Sequence, residues 1–245
     1  MFPRRLTPIL LRCNTASRET MDIKEALLAR KSIRAYRKDN VSRSVIEEIL
    51  TFATRAPSSL NSQPWEFVVV SGKVLDDIRD RNEMMLLGGE PPRPDFPLKR
   101  LKGIYRERQV AVFTELCRLG GFDSNDKQTI AYLRRRSYRF FEAPVAIIIC
   151  ADASLGSVRS NFDLGLVSQD ICLAALEYGL GTCLCLEAVS YPQTISEIAA
   201  VPPSKKICVA IALGYPETEH PANLLRSQRE PLENITRWCG FEGEV

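Results

Sequence analysis

Apolar positions recur with two different periods along this chain, and the two alternate. Val45, Ile46, Ile49, Leu50 and Ala53 follow the i, i+1, i+4, i+5, i+8 spacing of one buried helix face, behind a start signal at Ser42 or Ser44. Asp22 to Ala29 reads as an earlier, shorter helix, with Ile23, Ala26 and Leu27 apolar and Asp22 placed to cap it. Continuous apolar runs mark strands at Trp65 to Val70, Val145 to Cys150, Thr182 to Leu186 and Lys206 to Leu213. The first starts only after Pro64, because proline cannot donate to a central ladder. Lys73 to Arg81 reads as a helix behind a Ser71-Gly72 turn. Asn161 to Tyr178 is apolar on most sides, which predicts a helix central in the core. Ser190 to Ala199 predicts a helix with Pro192 in its first turn.

The order of these elements is not uniformly βαβ. It predicts a three-layer α/β/α domain of the α+β class with a mixed central sheet. Gly88-Gly89 and the prolines at 91, 92, 94 and 97 predict that regular structure breaks over 84–97, as a loop or lid. Two polar helices follow, near 98–118 and 126–141. Arg134, Arg135, Arg136 and Arg139 crowd the second, as a solvated face or as a cationic rim for an anionic substrate or a dinucleotide phosphate. Beyond Tyr215 the chain is polar and proline-punctuated, an arm from about 216 rather than a core element.

Composition narrows the function. A hydrophobic fraction of 45% over 245 residues suits one globular domain with a sizeable core. Net charge is only +3, which argues against a nucleic-acid partner, and no apolar run reaches membrane-spanning length. Eight cysteines without a C-x-x-C pair suit a reducing, cytoplasmic setting better than a disulfide framework. Residues 1–20 hold Arg4, Arg5, Arg12 and Arg18 with no acid before Glu19. That composition weakly resembles a transit peptide, and a disordered or extra N-terminal tail is the preferred reading. His220 is the only histidine, so any His-dependent triad or zinc site would rest on it alone. A chain so poor in acid–base groups near neutrality binds something or imports its chemistry as a cofactor.

The candidate chemistry lies first at Arg30-Lys31-Ser32-Ile33-Arg34. In an extended segment Arg30, Ser32 and Arg34 share one side. Two guanidinium forks and a hydroxyl there could grip a phosphate monoester. A second stretch, Ala56-Pro57-Ser58-Ser59-Leu60-Asn61-Ser62-Gln63-Pro64-Trp65, is a polar loop by composition. Gly179-Leu180-Gly181 follows a helix, whereas a dinucleotide fingerprint needs a strand before it and a helix after. Gly179 therefore reads as a helix C-terminal residue.

With both stretches in view, the chain resembles the nitroreductase family of FMN-dependent enzymes. Phe162-Asp163-Leu164-Gly165, Ala212-Leu213-Gly214-Tyr215-Pro216 and Arg229-Glu230-Pro231-Leu232 agree, in family order, from about Met21 onward. The segment from Met84 to Phe141 matches no part of the pattern and reads as a lid insertion at about 84–141. The resemblance implies an intertwined homodimer in which the arms wrap the partner. It implies FMN as cofactor, with its phosphate held by Arg30, Ser32, Arg34 and Arg229 and by the backbone of Lys31 and Ile33. Pro57, Ser58, Ser59, Asn61 and Gln63 would approach the ring from the partner subunit, and Leu184, Cys185, Leu186 and Glu187 would face flavin N5 with their backbone. No side chain is then needed as a general base. NADH or NADPH would pass a hydride to the flavin, and a small-molecule acceptor (nitroaromatic, quinone or free flavin) would be reduced in its place. Reductive dehalogenation, flavin breakdown and a non-enzymatic flavin-binding role share the same motifs.

Overall fold

The computed structural model describes residues 21–97, 99–155 and 157–241, so the expected N-terminal tail over 1–20 lies outside the described residues. Four strands form one sheet in the order β1-β2-β4-β3: β1 (Glu66–Ser71), β2 (Val145–Asp152), β3 (Gly181–Cys185) and β4 (Lys205–Gly214). All neighbouring pairs run antiparallel. The expected mixture of directions is reduced to one isolated parallel bridge, Ser32 beside Thr182. The reason is topological. β2 and β3 do run in the same sense, but β4 fills the slot between them.

Strand alternation sorts the core into two faces. Val145, Ile147 and Ile149 of β2 pack with Ile46 and Ile49 of α2 (Arg43–Ala53) and with Leu164, Val167 and Ile171 of α6 (Ser157–Ala174). Ala146, Ile148 and Cys150 face Leu75 and Ile78 of α3 (Gly72–Leu87) and Ile195 of α7 (Pro192–Ala199). Both faces of the sheet are covered, which is why β2 reads as an unbroken apolar run. The three expected layers are present.

Helix starts follow local chemistry. The side chain of Glu25 reaches back to the Asp22 N–H at 3.4 Å before α1 (Ile23–Ala29), and Ser42 accepts the Val45 N–H before α2. Pro192 occupies the first turn of α7.

The region after β1 departs from expectation. α3 continues through Met84 to Leu87 and stops only at Gly88, so the break begins later than residue 84. Polar residues hold this last stretch, and a search for apolar spacing does not see them. Buried Asn82 donates to the carbonyls of Tyr138 (3.1 Å) and Ala188 (2.8 Å), and buried Arg79 donates to those of Arg139 (3.1 Å) and Ala143. The proline-rich stretch is also stapled down. The Tyr191 hydroxyl donates to the Glu90 carbonyl, Arg93 N–H to the Ser190 carbonyl, and Asp95 accepts the Ile207 N–H and the Lys206 ammonium.

Two helices follow, α4 (Ile104–Gly120) and α5 (Lys127–Tyr138). Two of the four arginines crowded over 134–139 are committed to acidic partners. Arg135 pairs with Glu83, and the half-buried Arg139 pairs with Asp80, Glu83 and Glu142. The arm divides into two parts. Its first part, through α8 (Pro221–Leu224) to Leu225, docks on its own chain with Ala222, Asn223 and Leu225 buried, so this part joins the core that the sequence reading left it out of. Its second part, around α9 (Leu232–Ile235), leaves Leu232, Ile235, Trp238 and Phe241 largely exposed.

Candidate functional site

α1 ends at Ala29, and Arg30 turns the chain into an extended segment. That segment is fixed at three points. Ile33 N–H donates to the Thr182 carbonyl at 2.9 Å, and the Tyr36 hydroxyl donates back to the Ile33 carbonyl at 2.8 Å. Asn223 supplies the third point. Its side-chain oxygen accepts the N–H groups of Arg34 (2.7 Å) and Ala35 (3.2 Å), and its amide donates to the carbonyls of Ala35 (2.7 Å) and Glu217 (2.8 Å). Gly181 permits the close approach: a Cβ there would lie 2.4 Å from Ile33 Cγ1 and 2.9 Å from Pro216 Cγ. Its companion Gly179 has φ +67° and ends the preceding helical turn, as its place in the sequence suggested. Both glycines of the G-x-G are thus accounted for without a nucleotide.

The extended segment lines a cleft of about 320 Å³ together with the C-terminal arm. Arg30, Lys31, Arg34, Arg226 and Arg229 contribute five cations, Ser32 and Ser227 contribute hydroxyls, and no carboxylate lines it. Arg34 and Arg229, remote in sequence, line this same cleft. Two guanidiniums are braced by carbonyls: Arg34 Nη1 donates to Ser32 at 3.3 Å, and Arg229 Nη1 to Ser227 at 3.0 Å. Lys31 enters through its side chain, whose Nζ donates to the Asn223 carbonyl. Burial, and then the nearby Arg226, lower its pKa. Ile33 corrects the expected set. Its N–H and carbonyl already serve Thr182 and Tyr36, so it anchors the segment from beneath and does not offer its backbone to the cleft. Arg226, Ser227 and Asn223 were not foreseen. They stand in a polar arm where no spacing distinguishes them. This donor set fits a phosphate dianion.

The loop over Pro57, Ser58, Ser59, Asn61 and Gln63 lies elsewhere on the chain and does not line this cleft. Its position is fixed by α6, where buried Asp163 accepts the Ser59 N–H at 3.2 Å. The Ser58 hydroxyl accepts the Gln63 N–H at 3.0 Å. Leu60, Asn61 and Gln63 hold φ of 54°, 57° and 45°, an uncommon run of left-handed non-glycine residues. Leu60 is 95% exposed at its tip.

β3 is an edge strand, and Ser32 bridges only to its Thr182. Leu184 and Leu186 project outward, while Cys185 is buried with its thiol on the Cys183 carbonyl at 3.3 Å. Both thiols are free and both are buried, as core-facing residues of the strand rather than a redox pair. A hydrogen bond between the two thiols lowers the Cys183 pKa, with Arg34 adding to the effect, and raises that of Cys185, where burial pushes the same way. Glu187 opens a short 3-10 turn and accepts the Ser137 hydroxyl from α5. His220 caps α8 by accepting the Ala222 N–H at 3.2 Å. Among the described residues no cluster of His, Cys, Asp and Glu could hold a metal, and no helix is long and apolar enough to cross a membrane.

The chain is similar over most of its length to several known proteins. A 4-nitrobenzoate reductase of Pseudomonas putida is 30% identical over 227 residues, covering 91% of this chain and 98% of that protein. The crystal structure of an FMN- and NADPH-dependent nitroreductase, NfnB, from Sphigopyxis sp. strain HMH superposes with a TM-score of 0.86 at 26% identity, covering 90% of this chain and 100% of that one. The FMN-dependent NfnB of Mycobacterium smegmatis, solved in complex with NADPH, gives a TM-score of 0.82 at 25% identity over 88% of this chain and 97% of its own. The family model described as "Nitroreductase family" matches residues 27–215. That span contains the Arg30 segment, the Ser58 loop and the β3 edge, and the chain belongs to the nitroreductase family.

Proposed function

We propose that this protein is an FMN-dependent oxidoreductase that uses NADH or NADPH to reduce nitroaromatic, quinone or similar electron-poor acceptors. The observation that carries the reading is the cleft of five cations and two hydroxyls without a carboxylate. When bound, FMN supplies a ring that takes a hydride from the nicotinamide and gives it up to an acceptor entering after the nicotinamide has left. The residues of the chain do the rest. Arg30, Arg34 and Arg229 present guanidinium donors to the phosphate, and Lys31 and Ser32 add an ammonium and a hydroxyl. Leu184 and Cys185 bring the end of an incompletely covered edge strand to the ring, and Leu186 and Glu187 the turn that follows it.

Pro57, Ser58, Ser59, Asn61 and Gln63 serve the site of a second copy, a role supported by their placement at the surface away from their own cleft. A homodimer also accounts for the apolar exposure of Leu28, Phe162, Trp238 and Phe241. The free thiols among the described residues suit a reducing cytoplasm. No side chain is required as a base, which agrees with a single histidine employed as a helix cap.

Heat-released flavin identifies the cofactor: it should run as FMN, and the yellow protein should bleach on addition of NADH or NADPH. Recovery of FAD, or no flavin after reconstitution, defeats the reading.

A further inference from the structure

Arg34 lines two clefts. Beside the phosphate-type cleft lies another of about 260 Å³, walled by α4, α5 and the Glu187 turn. Its walls are apolar at Phe113, Leu116, Leu133 and Phe141. Three guanidiniums, from Arg34, Arg134 and Arg136, line it against a single carboxylate, Glu187, already engaged by the Ser137 hydroxyl. Arg134 donates one N–H to the Tyr138 hydroxyl at 3.4 Å, and Arg136 donates one to the Arg34 carbonyl at 2.6 Å. A guanidinium has five N–H groups, so donors remain on both. They set Arg134 and Arg136 apart from Arg135 and Arg139, whose partners are acidic side chains.

An apolar cleft with surplus positive charge favours an apolar anion, and the guanidinium fork matches a carboxylate. Size narrows the class further. A cavity of about 150 Å³ holds benzene, so this volume suits one substituted ring rather than a tricyclic flavin. Glu187 opens the 3-10 turn just after β3, within the segment that the proposed function sets beside the flavin ring.

We infer that this cleft selects the acceptor, that the preferred acceptor is a single-ring aromatic bearing a carboxylate, and that Arg134 and Arg136 receive that carboxylate. The inference rests on the reductase reading above and deepens it. Its test is calorimetric titration of the flavin-loaded protein with 4-nitrobenzoate and with its methyl ester, which keeps the ring and nitro group and removes the charge. The acid should bind about tenfold tighter or more, the size of one charge-assisted hydrogen bond. Arg134→Gln should lose most of that preference, and Arg134→Lys, which keeps the charge without the fork, should retain part of it. Equal binding of acid and ester by the unaltered protein overturns the inference. So does a preference that survives in both Arg134→Gln and Arg136→Gln. Reduction of the ester with NADPH needs no carboxylate. A protein that reduces the ester yet binds the two ligands alike keeps the reductase reading and loses this one.

Discussion

Asn223 and Arg34 stand 189 positions apart, and the Asn223 side-chain oxygen accepts the Arg34 backbone N–H at 2.7 Å. One buried amide thereby serves four backbone groups from Arg34, Ala35 and Glu217. Asn223→Ala leaves the Arg34 and Ala35 N–H groups and the Glu217 carbonyl without this partner, while the Ala35 carbonyl keeps the Glu217 N–H. The expected loss is about 2–4 kcal/mol of stability, read as a lower urea midpoint, with weaker FMN binding because Arg34 is no longer held in place. Asn223→Asp should not rescue it, since a carboxylate cannot donate to the Ala35 and Glu217 carbonyls. An Asp variant as stable as the parent would contradict the account.

Arg34 and Arg229 line the same cleft from opposite ends of the chain. Loss of either guanidinium should weaken FMN by roughly ten- to a hundredfold, since charge-assisted hydrogen bonds are worth about 1.5–3 kcal/mol each. The double variant should be non-additive, as groups sharing one ligand are coupled. Lysine should restore only part of the affinity. Fluorescence quenching of FMN measures all of these. Unchanged affinity in Arg229→Ala would remove the arm from the site.

Gly165 lies one turn from the 70%-exposed Phe162 on α6, and a Cβ added there meets nothing within 4 Å on its own chain. Alanine should favour the isolated helix by about 1 kcal/mol. If this face meets a second copy, the added methyl should instead weaken association, by roughly tenfold for an overpacked contact. Sedimentation of the parent should give about twice the 27.6 kDa chain mass, and Gly165→Ala should dissociate at higher concentration. A stabilised variant with unchanged association would place the dimer contact elsewhere.

His220 gives a pH dependence with a definite sign. Burial, and then the facing Arg136, hold its pKa below the ordinary 6.5. As pH falls, the unfolded chain takes up the proton first. This contribution to stability is complete above 6.5 and is lost as pH falls from there through the folded-state value. His220→Asn keeps a capping acceptor and cannot titrate. Comparing urea midpoints at about pH 7.5 and about pH 5.5 should show a smaller drop in the variant. Equal drops in both proteins would assign the effect to other groups.

The fold was legible wherever burial imposes a repeat. The apolar runs of β2 and β4, the face of α2 and the first-turn proline of α7 all read directly. The i, i+2 spacing of Arg30, Ser32 and Arg34 was legible too, because an extended backbone turns that spacing into one shared side. What did not read was polar and unrepeated. Asn82 and Arg79 prolong α3 by serving carbonyls from residues 138–188, and Asn223 organises the site from an arm with no periodicity. Asp95 likewise turns a proline-rich stretch into a clasp on β4. Such residues are recognised by partners distant in sequence, which a local pattern does not contain. The missing parallel pairing has a similar origin: β4 lies between β2 and β3, an order that the local pattern of neither strand contains.

That order has a consequence for synthesis. β3 leaves the ribosome before β4, its sole neighbour among the named strands, and so waits unpaired between two stages of translation. The Arg30 segment waits longer still, for Asn223 to arrive. A chain cut short after Gly214 has every strand of its sheet and none of its phosphate cleft's C-terminal wall. Capture of flavin would therefore report completion of the polypeptide, and a nascent chain would leave the ribosome's custody with its first-made binding residues among the last to become competent.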